Sequence, residues 1–259
     1  MFKGKMVTPA TPERVYTLCK IIEKKPMTLT DLREKMEPQF LQNSTMYFND
    51  YRTAAEELKL ISVSDNLVSL AVDPKIIRTI ETMRAYINSI LEEFSDGDFY
   101  LVTHAFLSMG QDILSADPNL SNWTTLMSEK VGKAIDAMEM RAWRFWASFL
   151  GFGYLHDMFM MPNTDVFLQD MISNANLEKN KRYSFGEFME QIRPQCDIAL
   201  DTDPSNRVLN YGVSNGLRTL HDAGAIKLEH ILDQQDIWSV YPLKMHVIQD
   251  TVTNIMICR

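Results

Sequence analysis

Arg207, Tyr211, Ser214 and Arg218 recur at helical spacing in this chain of 259 residues. At about 100° per residue they fall within an arc of about 60°, and Leu209, Val213, Leu217 and Leu220 fall on the far side. Asn210 and Asn215 flank the polar stripe, and no acid interrupts it. Guanidinium forks beside hydroxyls and amides suit phosphate oxygens and guanine edges. Lys227, just beyond, would add a backbone contact. The spacing predicts a DNA- or partner-binding face made of Arg207, Asn210, Tyr211, Ser214, Asn215, Arg218 and Lys227. The competing reading is a polar surface bridged to acidic parts of the same chain.

A weaker set lies near the N-terminus. Thr45, Asn49, Arg52 and Glu56 share the outer arc of another predicted helix. Arg52 and Glu56 cancel, and Asp50 and Glu57 lie close by. Major-groove readout favours Arg, Lys, Asn and Gln, so this face suits a protein better than DNA. Asn49, Arg52 and the Asp65-Asn66 turn are its expected partner-binding residues.

Catalytic patterns do not emerge. His104, His156, His221, His230 and His246 are scattered, and the neighbours in His156-Asp157 and His221-Asp222 would point apart on a helix. Cys-x-x-Cys and His-Glu-x-x-His are absent, so no metal site is expected. Asp201-x-Asp203-x-x-Asn206 lacks the glycine and closing glutamate of a calcium loop and reads as a turn with a helix cap. Phosphate-loop and nucleophile-elbow motifs are also missing. Trp143, Trp146 and Leu150 are spaced as core residues. Gly151-x-Gly153 follows a helix rather than a strand, so it reads as a helix break that allows close packing. The expectation is a protein without catalysis and without a cofactor.

The elements that would position these residues follow from caps and periodicity. Thr11-Pro12-Glu13 opens a first helix, Thr28 a second (Leu29 to Met36), and Asn43-Ser44 a third running to about Lys59. On the third, Tyr47, Phe48, Tyr51, Ala54, Ala55 and Leu58 form the apolar arc. Two alternating runs around Asp65-Asn66 then read as a β-hairpin. Three helices and a hairpin make a winged helix-turn-helix unit. The order recurs later: helices from Pro162-Asn163-Thr164, from the Ser184–Glu187 capping box, and from Asn206 to Asp222 ended by Gly224. Strands at 225–229 and 236–241 follow. Between the units everything reads as helix, with Asp73-Pro74 opening Lys75 to Phe94, a second helix from Phe99 to Leu114, and a long one from Thr124 to Phe149. The predicted fold is mainly α with small β-hairpins: winged helix-turn-helix units at 1–72 and 162–259, the second ending in a tail beyond its hairpin, flank an all-helical middle domain at 73–161. No flexible linker separates them.

Charge follows the same division. The net charge of −8 is +2 over residues 1–90, −8 over 91–180 and −2 beyond. The acidic middle would repel a phosphate backbone, which excludes a non-specific cationic DNA coater. No apolar run spans a bilayer or resembles a signal peptide, and Cys19, Cys196 and Cys258 form no disulfide framework. A cytoplasmic protein without a membrane partner is expected.

Two stretches resemble one family. Val213-Ser214-Asn215-Gly216-Leu217-Arg218-Thr219-Leu220-His221-Asp222-Ala223-Gly224, followed by a strand, Asp236 and Trp238, looks like the C-terminal unit of DpdG-type proteins. Trp146 to Gly153, followed by Met161-Pro162-Asn163, is similar to the same family. These motifs and the three-part layout cover about a third of the chain. Such proteins are encoded in bacterial clusters that insert 7-deazaguanine bases into DNA and restrict unmodified DNA. The resemblance implies a non-catalytic adaptor or DNA-engaging subunit of a DNA-modification or phage-defence assembly, with protein subunits and duplex DNA as partners. The alternative is a free-standing winged-helix transcription regulator that binds duplex DNA as a dimer.

Overall fold

The computed structural model describes residues 1–41, 47–115, 120–156, 159–201, 203 and 205–258. The expected helix start at Asn43-Ser44, with Thr45, and also Asp117-Pro118, Asp157 and Pro204 lie outside them. The described chain is mainly helical, with small antiparallel strand sets.

Thr11 caps α1 (Pro12–Ile22), which buries Val15, Leu18, Cys19 and Ile22. β1 (Met27–Thr28) leads into α2 (Leu29–Met36), whose first turn donates Asp31 N–H to the Thr28 hydroxyl. α3 (Phe48–Glu57) buries Phe48, Tyr51, Ala54 and Ala55 along the expected arc. β2 (Ile61–Ser64) and β3 (Leu67–Leu70) form the expected hairpin. Asp65 and Asn66 take φ of 49° and 66°, the left-handed pair that a two-residue turn of this twist requires. β1 joins the other edge of β3, giving the order β1-β3-β2.

The middle stretch departs from the all-helical expectation. α4 (Ile80–Ser89) starts later than Asp73-Pro74 suggests, because Thr79 and Thr82 form a reciprocal cap there. α5 (Asp98–Ser108), α6 (Asp112–Ser115), α7 (Leu120–Val131) and α8 (Ala137–Phe149) follow. The long helix expected from Thr124 to Phe149 is therefore two. Gly132 turns left-handed, and Asp136 starts α8 through a capping box with Glu139. After α8 the chain forms a hairpin, β4 (Gly153–His156) with β5 (Phe159–Pro162). Gly151 makes the corner at φ 88°, and a Cβ there would lie 2.5 Å from the Phe167 nitrogen. Trp143 and Trp146 are core residues, as their spacing predicts, and the Trp143 indole donates to the Thr103 hydroxyl at 2.9 Å.

The last part has α9 (Asp165–Asn174), β6 (Arg182–Ser184), α10 (Phe185–Ile192), α11 (Tyr211–Asp222) and β7 (Ile226–Glu229). Ser184 and Glu187 form the expected capping box. The strand beside β7 is not 236–241. β7 pairs with β10 (Asn254–Ile257), which also pairs with β6, so the order is β6-β10-β7. Ile255 and Ile257 are buried under this sheet, and their apolar side chains win the ladder for the C-terminal run. Residues 236–241 contribute only β8 (Trp238–Ser239), paired with β9 (Thr251–Val252) inside a long connection at 230–253.

Buried contacts weld the parts together. Asp170 on α9 takes two bonds from Arg84 and one from Asn88 of α4. The Trp146 indole donates to Ala10 O, and Ile198 N–H donates to Glu92. Among the described residues no helix is long and apolar enough to cross a membrane.

Candidate functional surfaces

α11 does not present the outward stripe that the spacing predicts. Arg207 precedes the helix, because Asn210 is its N-cap and the helical register begins at Tyr211. Arg207 stays exposed and pairs with Asp236 at 3.2 Å. Asn210 accepts from Val213 N–H at 2.9 Å and donates to Ala199 O at 2.7 Å. Tyr211 meets Tyr241 edge-on, with ring centres 5.0 Å apart. Ser214 is fully buried and accepts from Tyr241 N–H at 2.8 Å. Asn215 donates to Pro162 O at 3.2 Å.

Arg218 is 4% exposed. Its Nε donates to Ile248 O at 2.9 Å, and its Nη2 donates to Tyr241 O at 2.6 Å and Gln249 O at 2.8 Å. Burial holds its pKa below the usual guanidinium value. The segment 230–253 therefore covers Ser214 and Arg218, and its main-chain carbonyls take protons of Arg218 Nε and Nη2, while among the described residues the buried Nη1 has no partner. On the opposite side Gly212 and Gly216 let α11 approach Leu107 and the start of α9. Lys227 points outward from β7 but pairs with Glu229 at 2.6 Å. Of the predicted C-terminal set, Ser214 and Arg218 are enclosed and Arg207 lies off the helix, so the set forms no single face.

The N-terminal set is more open to solvent than the C-terminal one. Asn49 is exposed at the start of α3 and helps line a hollow of about 180 Å³ with Leu29, Gln39 and Phe48. Arg52 pairs with Glu56 at 2.9 Å, one helical turn on. Glu57 is engaged elsewhere, accepting Phe2 N–H at 2.8 Å. Asp65 and Asn66 sit exposed at the hairpin tip. Phe40, between α2 and α3, is 83% exposed, a feature no periodicity argument raised.

The structure also joins residues that the sequence scatters. His221 and His246 lie with ring centres 5.9 Å apart, and His246 Nε2 is 3.1 Å from the Asp222 carboxylate. As predicted for neighbours on a helix, Asp222 serves His246 rather than His221. His104, Asp201 and Asn206 line an open hollow of about 340 Å³ between α5 and the approach to α11. Asp201 accepts from Asp203 N–H and from the Asn206 amide, contacts that hold its carboxyl below the usual range. This loop is a turn, as expected, but it caps no helix. Cys19 and Cys196 are buried, and desolvation raises both thiols, Cys19 to about 12. No protein-family model, curated protein or solved structure matches the chain.

Proposed function

We propose that the protein is a non-catalytic adaptor with two winged helix-turn-helix heads, working by docking rather than bond chemistry. The observation carrying this reading is the repeated element order. Helix, strand, helix, helix and two sheet strands occur as α1-β1-α2-α3-β2-β3 and again, with the β8–β9 pair inserted between the last two, as α9-β6-α10-α11-β7-β10. Each set closes the same three-stranded sheet, with its last strand in the centre.

The heads then divide the work. α3 keeps Asn49 and Glu56 open to solvent, and the hairpin tip keeps Asp65 and Asn66 open. Arg52 is neutralised by Glu56, so this face offers no net cation for a phosphate backbone. It suits a protein partner. α11 is enclosed and acts as the packing core of its head. The resemblance to DpdG-type proteins supports membership in a bacterial DNA-modification or phage-defence assembly.

The test is recovery of the native complex with tagged wild type and with an Asn49→Lys, Glu56→Lys double variant. Protein subunits that co-purify with wild type and are lost from the variant support the docking head. Tight, strongly salt-dependent binding of duplex DNA by purified wild type would overturn it in favour of a DNA reader.

A further inference from the structure

The segment 230–253 carries an ordered, projecting turn. Leu243 N–H donates to Gln249 O at 2.8 Å and His246 N–H to Leu243 O at 3.1 Å, so the turn is closed by its own main chain. Arg218 fixes its base through Ile248 O and Gln249 O, and His246 Nε2 lies 3.1 Å from the Asp222 carboxylate at the end of α11. The turn nevertheless holds its apolar side chains out to solvent. Met245 is 96% exposed, Val247 78% and Leu243 43%. Single exposed apolar residues are ordinary, but three within five positions of a fixed turn make a patch. From Ile237 to Gln249 the chain carries one cation, Lys244, and no acid. The turn is therefore an apolar knob with one positive charge.

The start of α11 offers the complement. The hollow of about 340 Å³ beside Asn210 is lined by the buried Leu107, Ala199 and Leu200 and by the exposed Val208. By liquid volume it holds on the order of ten waters. Among the described residues that line it, Asp201 is the only acid, and none is Lys or Arg. Asp201 is exposed, and the two bonds it takes from Asp203 N–H and the Asn206 amide leave carboxylate lone pairs for a further donor. The chain's own knob does not serve this hollow. It is held at Asp222, and the 12 residues of α11 put that end about 18 Å from the start.

We propose that the hollow receives the Leu243, Met245 and Val247 knob of a second copy of this chain, with Lys244 of one copy paired to Asp201 of the other. Apolar burial supplies most of the affinity, and the charge pair at the rim sets the register. The knob is already ordered, so little conformational freedom is lost on docking. The net charge of −8 on each copy opposes approach, but at about 0.15 M salt it is screened beyond about 8 Å, which leaves the local pair to decide. The contact uses the last part of the chain alone, whatever the first head docks.

Sedimentation velocity of the full chain between about 1 and 100 μM reads the contact. The mean mass of wild type should rise above that of one chain. Met245→Asp changes a side chain that the fold leaves in solvent and should shift the association midpoint by about tenfold or more, as loss of a central anchor does. Lys244→Asp and Asp201→Lys should each weaken association, and the two together should restore it. Circular dichroism checks that each variant folds. If Asp201→Lys does not, Val208→Lys replaces it on the hollow side, with Lys244→Asp again as the rescue. Wild type that stays a single chain at the highest concentration overturns the proposal, as does association that Met245→Asp leaves unchanged. Association that the knob variants weaken and the hollow variants leave unmoved also overturns it, because the knob then docks elsewhere. Single variants that weaken association without mutual rescue overturn the pairing of Lys244 with Asp201.

Discussion

Arg218 is buried, and among the described residues its partners are main-chain carbonyls rather than a carboxylate. Each neutral acceptor bonded to a charged donor is worth about 1 kcal/mol or more net, and each buried carbonyl left unpaired costs a similar amount. Arg218→Ala should therefore cost about 3 kcal/mol, read as a clear drop in Tm. Arg207→Ala removes a half-exposed ion pair and should cost under about 1 kcal/mol. Equal Tm values for the two variants would contradict the enclosed position of Arg218. Glu92 makes a second prediction at this scale. Burial raises its carboxyl above the ordinary 4.5, although Tyr100 and the Ile198 N–H both donate to it. A carboxyl raised on folding contributes stability below its ordinary value, and that contribution is lost as pH rises through the folded value. The stability difference between Glu92→Gln and wild type should therefore shift in favour of the variant between pH 4.5 and 7, measured by urea unfolding. A difference that stays constant with pH would count against a raised carboxyl.

α11 shows what periodicity can and cannot deliver. The helix exists, its apolar face is the predicted one, and Gly224 ends it. Its start was misplaced because the residues before Asn210 continue the same angular pattern without helical backbone. The polarity of Ser214 and Arg218 was legible, but not their partner. Nothing in a helix pattern distinguishes oxygens of a nucleic acid from carbonyls of a segment more than twenty residues downstream. The segment 236–241 alternates like a strand and lies nearer in sequence than β10, so local pattern favoured the wrong pairing. The first sheet is easier to read, because its Asp65-Asn66 turn closes it over only two residues and leaves no room for an inserted segment. Close approach gives this scale its own prediction. A Cβ at Gly216 would lie 2.7 Å from Asp165 N and from Thr164 C, which are main-chain atoms that cannot step aside. Gly216→Ala should cost about 2 kcal/mol or more despite alanine's better helix propensity, as overpacking at a fixed contact does. A stabilised variant in urea unfolding would mean that α11 and α9 can separate freely.

At the scale of the whole molecule the parts are joined by polar contacts as well as apolar ones, and Asp170 is the densest of these. It is 6% exposed on α9 and takes Arg84 Nε at 2.8 Å, Arg84 Nη2 at 3.1 Å and the Asn88 amide at 2.8 Å. Asn88 donates as well to Leu150 O, so one cluster ties α4, α9 and the end of α8. Removing one partner of a buried ion pair costs about 3–5 kcal/mol, because the other charge is left desolvated. Asp170→Ala should fall in that range. The contacts crossing between parts also predict how the loss appears. With the aromatic cluster of Phe2, Phe94, Phe99 and Trp146 spanning the first junction and Asp170 the second, wild type should unfold in one transition. Tryptophan fluorescence, dominated by Trp123, Trp143 and Trp146 of the middle, should then coincide with far-UV circular dichroism across the chain. In Asp170→Ala the last part should melt at lower urea than the middle, and the two signals should separate. Coincident curves in the variant, shifted together, would assign Asp170 to the stability of the whole rather than to the junction.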